Sequence, residues 1–164
     1  MSRPSKAIAF YQPENYQPDE SAAYLMRQII ALLAGEVDKA LEPADLTSAQ
    51  WVPLLKLHMG IASTVAELAR ECNIDAGAMT RTLDRLEAKG LLARVRSSED
   101  RRVVNLELTR EGREAARQIP AVLCTVQNAF LQGLSVAEWQ QLKDLLRRIH
   151  ANGLALQGET QGQE

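Results

Sequence analysis

Seven cations crowd the stretch from Arg81 to Arg102: Arg81, Arg85, Lys89, Arg94, Arg96, Arg101 and Arg102 stand against only Asp84, Glu87, Glu99 and Asp100. That surplus of three sits in a chain whose formal charge is −2. Net charge is a sum, and a local cluster creates an attractive field whatever the total. Guanidinium groups form charge-assisted, often bidentate hydrogen bonds to planar oxyanions, so the chemistry on offer is anion recognition. The densest part is the polar tip Arg96-Ser97-Ser98-Glu99-Asp100-Arg101-Arg102. Within it Asp100, two residues before Arg102, can hold that guanidinium extended.

Other chemistries lack their residues. The chain has no G-x-S-x-G, no phosphate-cradling glycine loop and no Cys-His-Asp grouping, so an enzyme is not expected. Its only histidines, His58 and His150, have no matching carboxylate or thiol cluster, and no metal or other cofactor is implied. Cys72 and Cys124 form no C-x-x-C pair, which suggests neither a disulfide framework nor a zinc ribbon. No run approaches the roughly 18 uncharged apolar residues of a membrane span, and Ala7 to Phe10 is too short for a signal-peptide core. A cytoplasmic protein with no membrane partner is therefore expected.

The elements that must hold the cations follow from pattern and caps. At 164 residues the chain suits one domain with an extension, and 46% hydrophobic content with only 4% aromatics favours helices. Residues 1–18, with Pro4, Pro13 and Pro18, read as an extended or disordered arm. From Asp19, Leu25, Ile29, Leu32, Leu33, Val37 and Leu41 recur at helical steps. Thr47 with Gln50, Thr64 with Glu67, and Ser135 with Glu138 form capping boxes, and Asp75 is a further N-cap. Between Leu91 and Leu108 the period changes to two, with a break at Ser97 to Arg102, which predicts a hairpin. Thr109 caps a helix whose stripe runs through Pro120, predicting one long kinked helix. A last helix carries Val136, Trp139, Leu142, Leu145, Leu146 and Ile149, after which Gly153, Gly158 and Gly162 predict a frayed tail.

Two short helices meeting at Cys72-Asn73-Ile74-Asp75, with a basic hairpin after them, have the layout of a winged helix-turn-helix. In the second helix Met79, Leu83 and Leu86 share the inward face. Gly77, Ala78, Thr80, Arg81, Asp84 and Arg85 are left outside. A small, uncharged first turn suits entry into a duplex groove, and a helix N-terminus offers N–H groups to phosphate. Gly90 in a left-handed conformation would end this helix and aim the chain into the first strand.

The run from Leu46-Thr47-Ser48-Ala49-Gln50-Trp51, through Met79-Thr80-Arg81-Thr82-Leu83-Asp84-Arg85-Leu86 and Lys89-Gly90-Leu91, to Asp100-Arg101-Arg102-Val103-Val104 and Thr109-Arg110-Glu111-Gly112 resembles the MarR (multiple antibiotic resistance regulator) family over roughly residues 20–150. The resemblance implies a homodimer interlocked through the first helix and the last two. It also implies a pseudo-palindromic double-stranded DNA operator and repression released by a small ligand. The family's wing aspartate and arginine fall on Asp100 and Arg102. The dimer has separate support in three apolar stripes, too large for one small DNA-binding unit to cover.

The expected fold class is mainly α with a small β-hairpin wing: a winged helix-turn-helix over residues 46–112, with N- and C-terminal dimerisation helices over 19–45 and 113–153 and a flexible tail over 154–164. Gly77, Ala78, Thr80, Arg81, Arg85, Arg96, Asp100, Arg101 and Arg102 are the expected DNA contacts. A small, aromatic or phenolic effector would meet Tyr24, Arg27, Trp51, His58 and Met59, since the family's pocket lies between the dimer helices and the winged domain. Pro53 departs from the family pattern and is expected to kink or break its helix. A thiol- or oxidant-responsive regulator is an alternative, disfavoured because peroxide-sensing relatives carry their cysteine in the first helix region, where this chain has none. A protein-interaction module is a further alternative, and it leaves the coexistence of Arg81, Arg101 and Arg102 without a reason.

Overall fold

Ser21 opens the first long helix. Its hydroxyl accepts from the Tyr24 N–H at 3.2 Å and donates to the Pro18 carbonyl at 2.8 Å, pairing an amide that the helix itself cannot. This helix, α1, spans Ala22–Leu41 and so begins after Asp19. The computed structural model describes residues 8–96 and 104–161. Over its described part the preceding segment is more than an extended arm, because Pro13–Asn15 and Pro18–Glu20 are 3-10 turns. Proline fixes φ where a helical turn starts, so the residues that discourage a strand here also favour these turns. The Tyr11 hydroxyl accepts from the Ala22 N–H at 2.9 Å, and the Tyr11 and Tyr16 rings meet edge to face at 5.9 Å.

The next three helices are α2 (Ser48–His58), α3 (Val65–Cys72) and α4 (Ala76–Ala88). Of the kink or break expected at Pro53, the break does not occur: α2 runs through that residue. The proline removes one helical donor, but Pro53 and Leu54 are buried, and that burial holds the turn in place. Helix α3 starts on a capping box in which the Glu67 N–H donates to Thr64 Oγ1 at 3.3 Å. Glu67 Oε2 in return accepts from the N–H groups of Ser63 at 2.7 Å and Thr64 at 3.1 Å, and from the Ser63 hydroxyl at 3.0 Å. Asn73 takes the left-handed conformation at φ 53, one of the few residue types that does so readily, and turns the chain toward α4.

The Ser63 and Thr64 hydrogen bonds hold the Glu67 carboxylate below its ordinary pKa, with Ser63 the largest cause. A lowered folded value stabilises the protein above the ordinary glutamate pKa, and the contribution disappears as pH falls through the folded value. Glu67→Gln is therefore expected to melt lower than the wild type at neutral pH. The gap should close as the medium is acidified below the ordinary glutamate range. Thermal melts over a pH series check this, and a gap that stays constant to low pH contradicts it.

Strands β1 (Leu92–Arg96) and β2 (Val104–Leu108) pair antiparallel in a register from Leu92 opposite Leu108 to Arg96 opposite Val104. Unforeseen from the sequence, the entry to α3 lies along β2: the Leu106 N–H donates to the Ser63 carbonyl at 2.8 Å, and Thr64 bridges Asn105. The base of the hairpin is fastened by one residue. Thr109 Oγ1 donates to the Gly90 carbonyl at 2.7 Å and accepts from the Gly112 N–H at 2.9 Å, while the Thr109 N–H donates to the Leu91 carbonyl at 3.1 Å. Gly90 has φ 70, the left-handed helix end that the sequence predicts.

The chain divides into two compact units, Met1–Val122 and Leu123–Glu164. In the first, Leu54, Leu68, Met79, Leu83, Leu86, Leu92 and Ile119 are fully buried side chains. Each contributes roughly 1.5–3 kcal/mol relative to exposure. Helix α4 sets its Met79, Leu83 and Leu86 face against α2, α3 and β1. The second unit contains the end of α5 (Arg110–Phe130) and all of α6 (Val136–Gln161). Helix α5 is continuous through Pro120. Helix α6 begins on the Ser135–Glu138 box and continues past Gly153 and Gly158, where the sequence predicts fraying. An interior glycine costs a helix only about 1 kcal/mol, and Ala151, Leu154, Ala155 and Leu156 around these two are good helix formers. Its apolar stripe stays exposed in the single chain, including Trp139, Leu142, Leu145, Leu146 and Ile149. No helix among the described residues is long and apolar enough to cross a membrane.

Candidate nucleic-acid interface

The outward face of α4 is the one the sequence predicts. Gly77, Thr80, Arg81, Asp84 and Arg85 are exposed and Ala78 is half-buried. Asp75 Oδ1 accepts from the Ala78 N–H at 2.8 Å and fixes where the helix begins. Gly77 leaves the first turn narrow: a Cβ there would stand 3.1 Å from Asp75 Oδ1 and 3.7 Å from Arg81 Nη1. The Thr80 hydroxyl donates to the Ala76 carbonyl at 2.8 Å, so its hydrogen is engaged and its lone pairs remain for an outside donor.

The cations divide into two groups that the sequence does not separate. Lys89 Nζ lies 2.9 Å from Asp45 Oδ2, also donates to the Asp45 carbonyl, and donates to Gln50 Oε1 at 3.0 Å. The same Gln50 oxygen accepts from the Thr47 N–H at 3.3 Å, so Lys89 braces the start of α2 instead of facing a ligand. Arg94 Nη2 donates to Asp84 Oδ1 at 2.6 Å, and Nη1 pairs with Glu87 Oε2. Burial pulls the Arg94 pKa down, but the Asp84 hydrogen bond and the Glu87 and Asp84 charges outweigh it and leave the value raised. Lys89 and Arg94 are thus committed to partners within the protein, Asp45 and Asp84, which lie 44 and 10 residues away along the chain. Arg81, Arg85 and Arg96 make no ion pair among the described residues.

Arg96 ends β1 and is exposed. Asp100, Arg101 and Arg102, with the rest of the predicted tip at 97–103, lie outside the described residues. Partly exposed ion pairs are worth about 0–1 kcal/mol each, less than any one buried leucine of α4. The Arg94 bridge therefore shapes the surface charge more than it holds the fold.

The five residues expected at an effector are spread over two helices. On α1, the Arg27 guanidinium lies 5.6 Å from the Tyr24 ring centroid, and the Tyr24 hydroxyl accepts from Gln28 Nε2 at 2.9 Å. On α2, Trp51 is half-buried, with an indole N–H that is buried and unpaired among the described residues, while His58 and Met59 are exposed at the far end. No hydrogen bond, ion pair or ring contact joins the two sets among the described residues. A hollow of about 730 Å³ has Ala40, Leu41 and Ala44 on one wall and Arg110, Glu114 and Gln118 on the other, with none of the five residues in its lining. A smaller apolar cleft of about 180 Å³ lies beside Cys72, Pro53, Ile74 and Met79. Burial pushes the Cys72 thiol pKa up, against an opposing pull from Lys56 and with a further push from Glu71.

A sequence profile of the MarR family matches residues 46–104. Among solved structures, the transcriptional regulator PA3341 is 32% identical with a TM-score of 0.71, over 79% of this chain and 96% of that one. MarR family protein Rv2887 of Mycobacterium tuberculosis, solved in complex with salicylic acid, is 31% identical with a TM-score of 0.65, over 80% of this chain and 98% of that one. A mutant MarR from E. coli, solved with operator DNA, is 27% identical with a TM-score of 0.71, over 77% of this chain and 91% of that one.

Proposed function

The chain belongs to the MarR family of winged-helix transcription regulators, and on that premise we propose that it acts as a homodimeric repressor of a pseudo-palindromic DNA operator, released by a small aromatic or phenolic ligand. One observation carries the DNA-binding part. Arg81 and Arg85 on α4 and Arg96 on β1 make no ion pair among the described residues, on elements that pack together. Gly77, Ala78 and Thr80 give that helix a slim leading turn for the major groove. Asp100, Arg101 and Arg102 would extend the contact to phosphate or into the minor groove.

The dimer is supported by exposed apolar side chains on α1, among them Leu25, Ile29, Ile30 and Leu32, and by the stripe along α6. Such continuous apolar surface marks an interface in a water-exposed protein. Two copies would hold two α4 helices for half-sites about one turn of duplex apart. Tyr24, Arg27, Trp51, His58 and Met59 remain the proposed effector contacts, and the Trp51 indole N–H, buried and without a partner among the described residues, supports the set as a donor that an acidic group reaching it would satisfy. A ligand that weakens DNA binding must itself bind more weakly, by the same factor, once DNA is bound.

Fluorescence anisotropy with duplexes from the region flanking its own gene tests the reading. One duplex is expected to bind much more tightly than mixed-sequence DNA, with an affinity that falls steeply as salt rises. Arg102→Ala should weaken binding about equally on all sequences and lower the salt slope by about one. Equal binding to every duplex would defeat the operator reading, and an unchanged slope would remove Arg102 from phosphate contact.

A further inference from the structure

We propose that Arg94 is a charge-compensating residue of the DNA-reading surface, serving to mask Asp84 and Glu87 on α4 without touching DNA itself. This rests on the DNA-binding reading above. Positions 77, 80 or 81, 84 and 87 recur at three- and four-residue steps, so Asp84 and Glu87 continue the same ridge of α4 that carries Gly77, Thr80 and Arg81. Both carboxylates are exposed, with side chains 58% and 40% accessible. Left alone, they would place two negative charges beside Arg81 and Arg85 on the surface that must approach phosphates. The field of neighbouring like charges opposes such an approach.

Arg94 reaches both from β1, one nitrogen to each, and its own side chain is only 26% accessible. The trio then carries one net negative charge instead of two. Its nitrogens are directed at carboxylates, and a guanidinium committed to two such bonds is a poor candidate for a third partner in the groove. The free cations Arg81, Arg85 and Arg96 are left to set the sign of the face.

The test uses the full chain and a labelled duplex of about 30 base pairs of mixed sequence, because the electrostatic part of binding is present on any sequence. Arg94→Met is expected to weaken binding about tenfold at low salt, and the loss should shrink as added salt screens the two uncovered carboxylates. Adding Asp84→Asn and Glu87→Gln to Arg94→Met should return the affinity to within about twofold of the wild type. The pair Asp84→Asn with Glu87→Gln, made without touching Arg94, should bind as well as the wild type or better, and this holds even if Arg94→Met proves too unstable to assay.

A loss in Arg94→Met that the two amides do not reverse would overturn the proposal in favour of a direct phosphate contact. A loss of binding in the paired amide variant would overturn it in favour of a geometric strut between β1 and α4. Absence of binding by the wild type to any duplex would instead defeat the DNA-binding reading itself, a result separable from all of these.

Discussion

Gly112→Ala is expected to lower stability by at least about 3 kcal/mol, seen as a melting temperature reduced by roughly 6–12 °C. A Cβ built at Gly112 would stand 1.7 Å from the Leu91 carbonyl oxygen and 2.8 Å from the Leu91 carbonyl carbon. Both obstacles are backbone atoms, so no side-chain rotation relieves the overlap. The Leu91 oxygen cannot withdraw cheaply either, because it accepts the Thr109 N–H, and Thr109 also bonds Gly90 and Gly112. Relief requires the first turn of α5 to part from the end of α4, which gives up hydrogen bonds at the base of the hairpin. Gly153→Ala is the control: its Cβ would meet nothing within 4 Å, and an alanine inside a helix should raise the melting point slightly. Equal effects of the two substitutions in thermal melts would show that the approach to Leu91 is not the constraint.

Arg81→Ala is expected to cost about 1–3 kcal/mol on the preferred operator, roughly a 5- to 150-fold loss of affinity, and much less on mixed-sequence DNA. Arg81 is exposed, makes no ion pair among the described residues, and has Nη1 near Gly77 at the narrow start of α4. From that place a guanidinium can pair with both acceptors on the major-groove edge of a guanine. A phosphate contact from the same residue would affect all sequences alike. Titration of the variant against a panel of single-base operator changes separates the two. Preference flattened at one base pair supports base reading, whereas a uniform loss assigns Arg81 to the backbone.

Much of the fold is legible in the sequence because its signals are local. The Thr64–Glu67 and Ser135–Glu138 boxes and the Asp75 cap each lie within three residues of the amides they serve, and the structure contains the hydrogen bonds they predict. The inward face at Met79, Leu83 and Leu86 follows from helical spacing alone, as does the alternation of the two strands. The roles of Arg94 and Lys89 are not legible in this way, since nothing near them in the chain distinguishes a cation committed to Asp84 or Asp45 from one held open. The contact of Ser63 with Leu106 is likewise invisible to periodicity, because Ile61-Ala62-Ser63 has neither the length nor the pattern of a strand. Glycines mislead in both directions. Gly153 and Gly158 look like helix ends and sit within α6, whereas Gly112 looks unremarkable and is demanded by a carbonyl more than 20 residues earlier in the chain.

The half-buried thiol at the corner between α3 and α4 bears on how the molecule ages in air. Peroxide attacks the thiolate, and a thiol whose pKa is pushed upward by burial offers little of it at neutral pH. Cys72 should therefore survive oxidant exposure that converts an ordinary surface thiol to a sulfenic acid.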